Sequence, residues 1–148
     1  MEAILENGET VHSGYAGARE EYLEERKRGR ILVVDDERCI RETLLAILHA
    51  MGFEAAAARD GDEGLDMFVK SHYDLVFMDL QMPGMDGWSL ALHIKNQSPD
   101  TPIILITGEQ EDVVMGKLDQ SAVDLALFKP FQLHEIQEAI QSLSAFDL

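Results

Sequence analysis

The sequence predicts a single α/β domain in which helices cover both faces of a parallel sheet, that is, a small doubly wound sandwich. From residue 30 onward, short apolar runs alternate with amphipathic segments, which is the pattern of repeated strand–helix units. Three of the five runs are almost entirely apolar, as strands covered on both faces are. Five such units in about 115 residues suit a fold of this kind.

Five strands are predicted from the apolar runs. They cover residues 31–35 (ILVVD), 53–58 (FEAAAA), 74–79 (DLVFMD), 102–107 (PIILIT) and 124–129 (DLALFK). The first, third and fourth runs are the most apolar, so we expect these strands to form the centre of the sheet.

Five helices are predicted to follow the strands. They begin near Glu37, Gly61, Asp86, Glu109 and Gln132. The first helix has an apolar stripe, and Gly52 stands where a left-handed C-cap residue belongs. That stripe consists of Ile40, Leu44, Ile47, Leu48 and Met51. The last helix has a similar stripe, which we interpret as core packing rather than as a groove for a partner. Its members are Leu133, Ile136, Ile140 and Leu143.

Composition excludes several classes of function. The 28 acidic side chains outnumber the 12 basic ones and give a formal charge of −16, which argues against direct nucleic-acid binding. Cys39 is the only cysteine, so we expect no intrachain disulfide or cysteine-based zinc site, and a reducing compartment. The chain contains neither an apolar run of membrane-spanning length nor the pattern of a signal peptide. We therefore expect a cytoplasmic protein that contacts no membrane.

Residues 1–29 differ from the rest of the chain. Glycines and polar residues come first, and a dense charge run, AREEYLEERKRG, follows. We predict an N-terminal extension or linker over 1–29 and the folded domain over 30–148. The extension is either a solvated helical tail or cloning remnant, or a connector to an upstream domain or a dimer partner.

Polar side chains end four of the predicted strands. Asp35 ends the first and Asp36 comes directly after it, Asp79 ends the third, Thr107 the fourth and Lys129 the fifth. The carboxyl ends of the strands form the binding crevice in doubly wound folds, so these side chains should meet. Clustered carboxylates persist at neutral pH only if a cation is present or some of their pKa values rise, and all-oxygen ligands with open positions favour Mg²⁺. A lysine and a threonine hydroxyl suit phosphate oxygens, so the pattern indicates a phosphoryl site.

Each of these residues alone has an ordinary structural explanation. Asp35 or Asp36 could cap a helix, Thr107 is a good β-former, and a single lysine is usually a solvated surface charge. The combination favours function, because Lys129 closes an apolar strand directly before Pro130, where the chain must leave the sheet.

Four motifs occur in a fixed order and spacing. They are ILVVDDE (31–37), DLVFMDLQMPGMDGW (74–88), PIILITG (102–108) and LFKPF (127–131). Together they closely resemble the receiver domains of two-component response regulators, the CheY-like superfamily, from about Arg30 to the C-terminus. The resemblance implies a flavodoxin-like (βα)5 three-layer sandwich with a parallel five-stranded sheet in the order 2-1-3-4-5.

The resemblance also implies roles for the site residues. Asp79 would attack a phosphohistidine and become an aspartyl phosphate, while Thr107 and Lys129 would hold the phosphoryl oxygens. Asp36 and Asp79 would ligate Mg²⁺, or Mn²⁺ in its place. Asp35 would act mainly through a metal-bound water, and the backbone carbonyl of Gln81 would complete the protein ligands.

Several neighbours of the acceptor are implied to shape or tune the site. Pro83, Gly84 and Gly87 would shape the loop after Asp79. Gln81 and Glu109 occupy positions that tune dephosphorylation in this family.

One position departs from the family pattern. On phosphorylation, Thr107 would move toward the phosphate while an aromatic residue three positions before the lysine turns inward. Here that position is Ala126. Output through the face formed by the fourth helix, fifth strand and fifth helix is therefore expected to differ, although a shift centred on Thr107 remains available.

The resemblance implies a signalling receiver that catalyses only its own phosphorylation and dephosphorylation. Its partners would be a histidine kinase or phosphotransfer protein and an unknown downstream protein. One alternative is a pseudo-receiver that serves only as an interaction module, supported by Ala126. The other is a Mg²⁺-dependent phosphohydrolase, which is disfavoured because such an enzyme typically needs an acid where this chain has Gln81.

The context of the domain is left open by the sequence. The 19 residues after Lys129 suffice for the last helix, so we expect no output domain after it. A stand-alone regulator, a receiver from a hybrid histidine kinase and a regulator without its output domain all fit.

Overall fold

The computed structural model describes residues 29–143, in which strands and helices alternate along the chain. The strands are β1 (Arg30–Val34), β2 (Glu54–Ala58), β3 (Leu75–Asp79), β4 (Ile103–Thr107) and β5 (Leu125–Phe128). The helices are α1 (Arg38–Ala50), α2 (Gly61–Lys70), α3 (Gly87–Gln97), α4 (Glu111–Leu118) and α5 (Leu133–Ser142). The predicted charged extension lies outside the described residues, apart from Gly29.

The five strands form one parallel sheet in the order β2-β1-β3-β4-β5. The predicted fold class and strand order are confirmed. The most apolar strands, β1, β3 and β4, do lie at the centre of the sheet. Because all strands run in the same direction, their carboxyl ends meet at one edge, where the polar residues identified above are brought together.

The sheet separates two apolar cores, because alternate side chains of a strand point to opposite faces. In β3, Leu75 and Phe77 pack with α1 and α5, whereas Val76 and Met78 pack with α2, α3 and α4. Trp88, half-buried on α3, packs against the second of these cores. The domain therefore has three layers, with the sheet in the middle.

The ends of the helices follow from local chemistry. Gly52 directly follows the C-cap of α1 with a φ of 93°, as predicted for a left-handed residue at that position. The carboxylates of Asp60 and Asp86 cap α2 and α3 by accepting from the amides of Glu63 and Ser89.

Two details of the sequence prediction were wrong. Leu133 does not belong to the buried stripe of α5, since it is 52% exposed at the first residue of the helix. Phe131 packs against that core instead. Helix α4 begins at Glu111 rather than near Glu109, because the Glu109 amide donates to the Thr107 hydroxyl and so belongs to the loop. Within residues 29–143, no helix is both long and apolar enough to cross a membrane.

Candidate functional site

Three carboxylates lie together at the carboxyl edge of the sheet. Asp35 and Asp36 follow β1, and Asp79 is the last residue of β3, the neighbouring strand. One oxygen from each carboxylate lies within 4.8 Å of the others. Asp35 and Asp79 are buried and Asp36 is exposed. The cluster is thus accessible to solvent at Asp36 and buried at Asp35 and Asp79.

Lys129 places its ammonium group against this cluster. Its Nζ lies 3.3 Å from Asp35 Oδ2, 3.6 Å from Asp79 Oδ1 and 3.0 Å from Glu37 Oε1. The backbone of Lys129 is fixed as well, because its amide donates to the carbonyl of Thr107 across 2.8 Å. Lys129, directly after β5, is therefore held at the same edge as the aspartates, two strands away from Asp79 in the sheet.

Thr107 lies between these groups, at the end of β4. Its side chain is buried, and its hydroxyl oxygen accepts from the amide of Glu109 at 3.0 Å. In the sheet register Asp79 pairs with Ile106, so Thr107 is next to the strand partner of the aspartate. Its hydroxyl proton is not used by that hydrogen bond and is available to donate to a bound oxygen.

Burial and like charge raise the pKa values of the two buried aspartates. Burial, together with the charges of Asp35 and Asp36, raises the pKa of Asp79 to about 6, against the opposing effects of Lys129 and the amide of Leu80. Burial also raises the pKa of Asp35, against the opposing effects of the Glu37 amide and Lys129. Lys129 therefore lowers the pKa values of both aspartates without cancelling the effect of their burial.

The pKa of Lys129 reflects the same cluster from the other side. Burial alone would lower the pKa of the ammonium group, but the hydrogen bond to Glu37 and the charges of Asp35 and Asp79 outweigh burial and raise it. Lys129 therefore stays positively charged at neutral pH.

The loop between β3 and α3 is shaped by glycines. Gly84 adopts a φ of 81°, a conformation that L side chains rarely take. The amide of Gly87 donates to the carbonyl of Leu80 across 2.8 Å, which closes the loop behind Asp79. Pro83 is exposed in the same loop.

A side-chain hydrogen bond joins this loop to the next one. Nε2 of Gln81 donates to Oε2 of Glu109 across 2.8 Å, and this hydrogen bond lies at the exposed surface. Gln81 and Glu109, the two positions expected from the resemblance to tune dephosphorylation, are therefore in direct contact.

Ala126 lies in the middle of β5, where it pairs with Leu105. It is partly buried and packs against the core beneath α2, α3 and α4. Its methyl group leaves this position without an aromatic ring, as its sequence indicated.

Two residues at the site were not assigned a role from the sequence. Glu37 contacts Lys129, and the guanidinium of Arg41 donates to the backbone carbonyl of Asp35 across 2.8 Å. Arg41 lies on α1 one turn after Glu37, so a signal in the sequence was the helical spacing that places both at the start of that helix.

The donor set fits a hard divalent cation. The three carboxylates supply oxygen atoms, one of them is exposed, and a bound cation would oppose the burial and like charge that raise the pKa of Asp79. Mg²⁺ is the cation that prefers one or two carboxylates together with water and phosphate oxygens.

Residues 31–141 match the family model of the response regulator receiver domain. The chain belongs to this family, the receiver domains of two-component systems, and its sheet is the CheY-like, flavodoxin-like one. Receiver domains are signalling modules that bind Mg²⁺ at an acidic pocket, and response regulators partner with histidine kinases.

Individual relatives agree with this assignment. The probable transcriptional regulator ycf27 of Cyanophora paradoxa is 40% identical over 116 residues, which cover 77% of this chain and 47% of that protein. The chain thus spans about half the length of the curated relatives it matches.

Solved structures match over most of the chain. The response regulator TrrA of Thermotoga maritima, solved in complex with Mg²⁺ and BeF, has a TM-score of 0.71 and 38% identity, covering 77% of this chain and 97% of that one. The chemotaxis protein CheY4 of Vibrio cholerae has a TM-score of 0.73 and 28% identity, with the same two coverages.

Proposed function

We propose that this receiver domain accepts a phosphoryl group on Asp79 from a phosphohistidine of a histidine kinase or phosphotransfer protein. The observation that carries the proposal is the position of Asp79 Oδ1 at 3.6 Å from Lys129 Nζ, within a cluster of three carboxylates. This is the combination of nucleophile, cation-binding oxygens and fixed positive charge that phosphoryl transfer requires.

In the proposed reaction a carboxylate oxygen of Asp79 attacks phosphorus. The new O–P bond forms as the P–N bond to the donor histidine breaks, and the imidazole keeps the electron pair and takes up a proton. With a pKa of about 6, Asp79 is mostly ionised at neutral pH and so is available as the nucleophile. The hydroxyl of Thr107 and the ammonium of Lys129 would each donate to a phosphoryl oxygen.

The acidic residues would hold Mg²⁺ during this reaction. Asp36 and Asp79 would ligate it directly, Asp35 through a water molecule, and Gln81 through its backbone carbonyl. When bound, Mg²⁺ would neutralise charge between the phosphoryl oxygens and the carboxylates. The domain would catalyse only its own phosphorylation and dephosphorylation.

Phosphorylation would be read out through a shift of Thr107 and the face formed by α4, β5 and α5. Thr107 is suited to this role, because its hydroxyl already fixes the start of the β4–α4 loop through the Glu109 amide. A contact with phosphate would pull on the same loop. Ala126 contributes no aromatic ring to the shift, so we propose that the loop and α4 carry most of the response.

The signal would pass to another protein or domain rather than directly to nucleic acid, given the charge of −16. Some relatives are named as transcriptional regulators and are about twice as long as the matched region. We propose that residues 30–148 form the receiver and that residues 1–29 are a charged extension or linker.

Intact mass spectrometry with acetyl phosphate tests the acceptor. A phosphoryl adduct is expected that requires Mg²⁺ and is absent in Asp79→Asn. Asp100→Asn is the matched control, because Asp100 is exposed and precedes β4, at the opposite edge of the sheet. Fluorescence of Trp88, the only tryptophan, reports whether beryllofluoride changes the conformation. No adduct and no response to beryllofluoride or to phosphorylated kinases would favour the pseudo-receiver instead.

A further inference from the structure

Glu37 occupies the N-cap position of α1 but does not act as a cap. Its side chain makes no capping hydrogen bond, and its Oε1 lies 3.0 Å from Nζ of Lys129, a residue 92 positions further along the chain. An acidic N-cap side chain ordinarily accepts from an amide of its own helix. The side chain of Glu37 is instead directed at the site.

Glu37 also contacts the site through its backbone. Its amide donates to Oδ1 of Asp35 across 2.8 Å, while Oδ2 of the same carboxylate faces Lys129 at 3.3 Å. Glu37 therefore fixes one acidic ligand candidate through its amide and the lysine through its carboxylate. No sequence motif assigned it either role.

The ammonium of Lys129 is shared among three carboxylates. Glu37 is the nearest at 3.0 Å and is 60% exposed, whereas Asp79 is the farthest at 3.6 Å and is buried. On the proposed function a cation in the acidic cluster would be held by Asp79 directly and by Asp35 through water, and the ammonium contacts both of these carboxylates. Lys129 and the cation therefore compete for the same carboxylates. The attraction of Glu37 for Lys129 draws the ammonium away from those carboxylates and so favours the cation in this competition.

We propose that Glu37 is a positioning residue that holds Lys129 at the rim of the acidic cluster and thereby strengthens Mg²⁺ binding between Asp35, Asp36 and Asp79. Without Glu37, the flexible lysine moves inward to the buried carboxylates, where ion pairing is less screened by water. The inference rests on the proposed function in taking Mg²⁺ as the cation.

A double-mutant cycle separates this action through Lys129 from a direct effect of charge. The Mg²⁺ dissociation constant is measured by calorimetry for the wild type, Glu37→Ala, Lys129→Met and the double variant. Glu37→Ala is expected to weaken Mg²⁺ binding about fivefold when Lys129 is present and by less than about twofold when it is absent. Glu37→Ala should fold normally, because the side chain it removes makes no capping bond.

Two further variants guard the interpretation. Glu42→Ala, on the same helix, removes an equal charge whose partner is Arg38, and it should leave Mg²⁺ binding unchanged. Glu37→Gln keeps an acceptor for the ammonium without the charge and should fall between the wild type and Glu37→Ala. If Lys129→Met does not fold, Lys129→Gln replaces it in the cycle.

The outcomes are distinct for the two proposals. An equal loss of Mg²⁺ affinity with and without Lys129, or no loss at all, would overturn the role of Glu37. If the wild type then still forms the acetyl phosphate adduct, the proposed function stands alone. A wild type that neither binds Mg²⁺ nor forms an adduct would overturn both.

Discussion

The backbone of Gly87 lies directly against the backbone of Asp79. A Cβ atom at position 87 would come 2.5 Å from the carbonyl oxygen of Asp79 and 2.9 Å from Cα of Leu80. Both contacts are with main-chain atoms, which cannot rotate away as a side chain could. The first residue of α3 can therefore lie this close to the proposed acceptor only as glycine.

Gly87→Ala should therefore both destabilise the domain and displace Asp79. We expect a loss of about 1–3 kcal/mol in the free energy of unfolding, as for other overpacked positions, measured by urea denaturation. The rate of adduct formation with acetyl phosphate should fall as well. Gly116→Ala on α4 is the control, because a Cβ there meets nothing within 4 Å, and it should stabilise the helix by about 1 kcal/mol. If Gly87→Ala has the stability and the rate of adduct formation of the wild type, the loop accommodates the added Cβ atom without displacing Asp79.

Asp79→Asn should stabilise the domain in a pH-dependent way. Folding raises the pKa of Asp79 from 3.8 to about 6, so the carboxyl group binds a proton more tightly in the folded protein than in the unfolded chain. Stability from this group is thus fully present below about pH 4 and is lost as the pH rises through about 6. The variant should be more stable than the wild type at pH 7.5, and urea denaturation should show the difference shrinking toward pH 4. A difference that does not change with pH would mean that the charge of Asp79 is not the cause.

Mg²⁺ should raise the melting temperature of the metal-free protein. A ligand that binds only the folded state stabilises it by about 2.7 kcal/mol at one hundred times its dissociation constant, which corresponds to several degrees. Asp36→Asn should lose most of this shift, because it removes a carboxylate charge that is proposed to ligate Mg²⁺ directly. Asp100→Asn should keep it. Thermal melts with Mg²⁺ and with a chelator measure the effect, and equal shifts in both variants would place the metal elsewhere.

The hydroxyl of Thr107 should matter both for stability and for switching. Thr107→Val keeps the shape but leaves the Glu109 amide without the acceptor it has at 3.0 Å, which should cost about 1–3 kcal/mol. Thr107→Ser keeps the hydroxyl and should lie close to the wild type in stability and in its beryllofluoride response. Chemical denaturation and Trp88 fluorescence distinguish the two variants. Similar values for both would assign the effect to packing of the Thr107 methyl group.

The layout of the fold followed from hydrophobic patterning. The apolar runs that became β1, β3 and β4 had the composition of strands covered on both faces, and this placed them at the centre of the sheet. Leu133 shows the limit of the method. Its spacing from Ile136 matched a buried face, but periodicity does not reveal where a helix extends past the edge of the core.

The sequence predicted where the site lies, but it did not predict all of the side-chain contacts within it. Parallel strands bring their carboxyl ends to one edge, so the proximity of Asp35, Asp79 and Lys129 followed from topology. The contacts of Glu37 with Lys129 and of Gln81 with Glu109 did not. They depend on side-chain directions between separate loops, which neither spacing nor composition specifies.

The polar edge of the sheet draws its residues from almost the whole domain, from Asp35 after β1 to Lys129 after β5. A contiguous fragment that contains both Asp35 and Lys129 must therefore also contain β2, β3, β4 and β5. On the proposed function, a nascent or proteolysed chain could bury much of a core and still be unable to receive a signal. Phosphorylation would then occur only on molecules that have completed their folding. The fraction of a preparation that becomes phosphorylated would therefore measure the fraction of correctly folded, full-length domains.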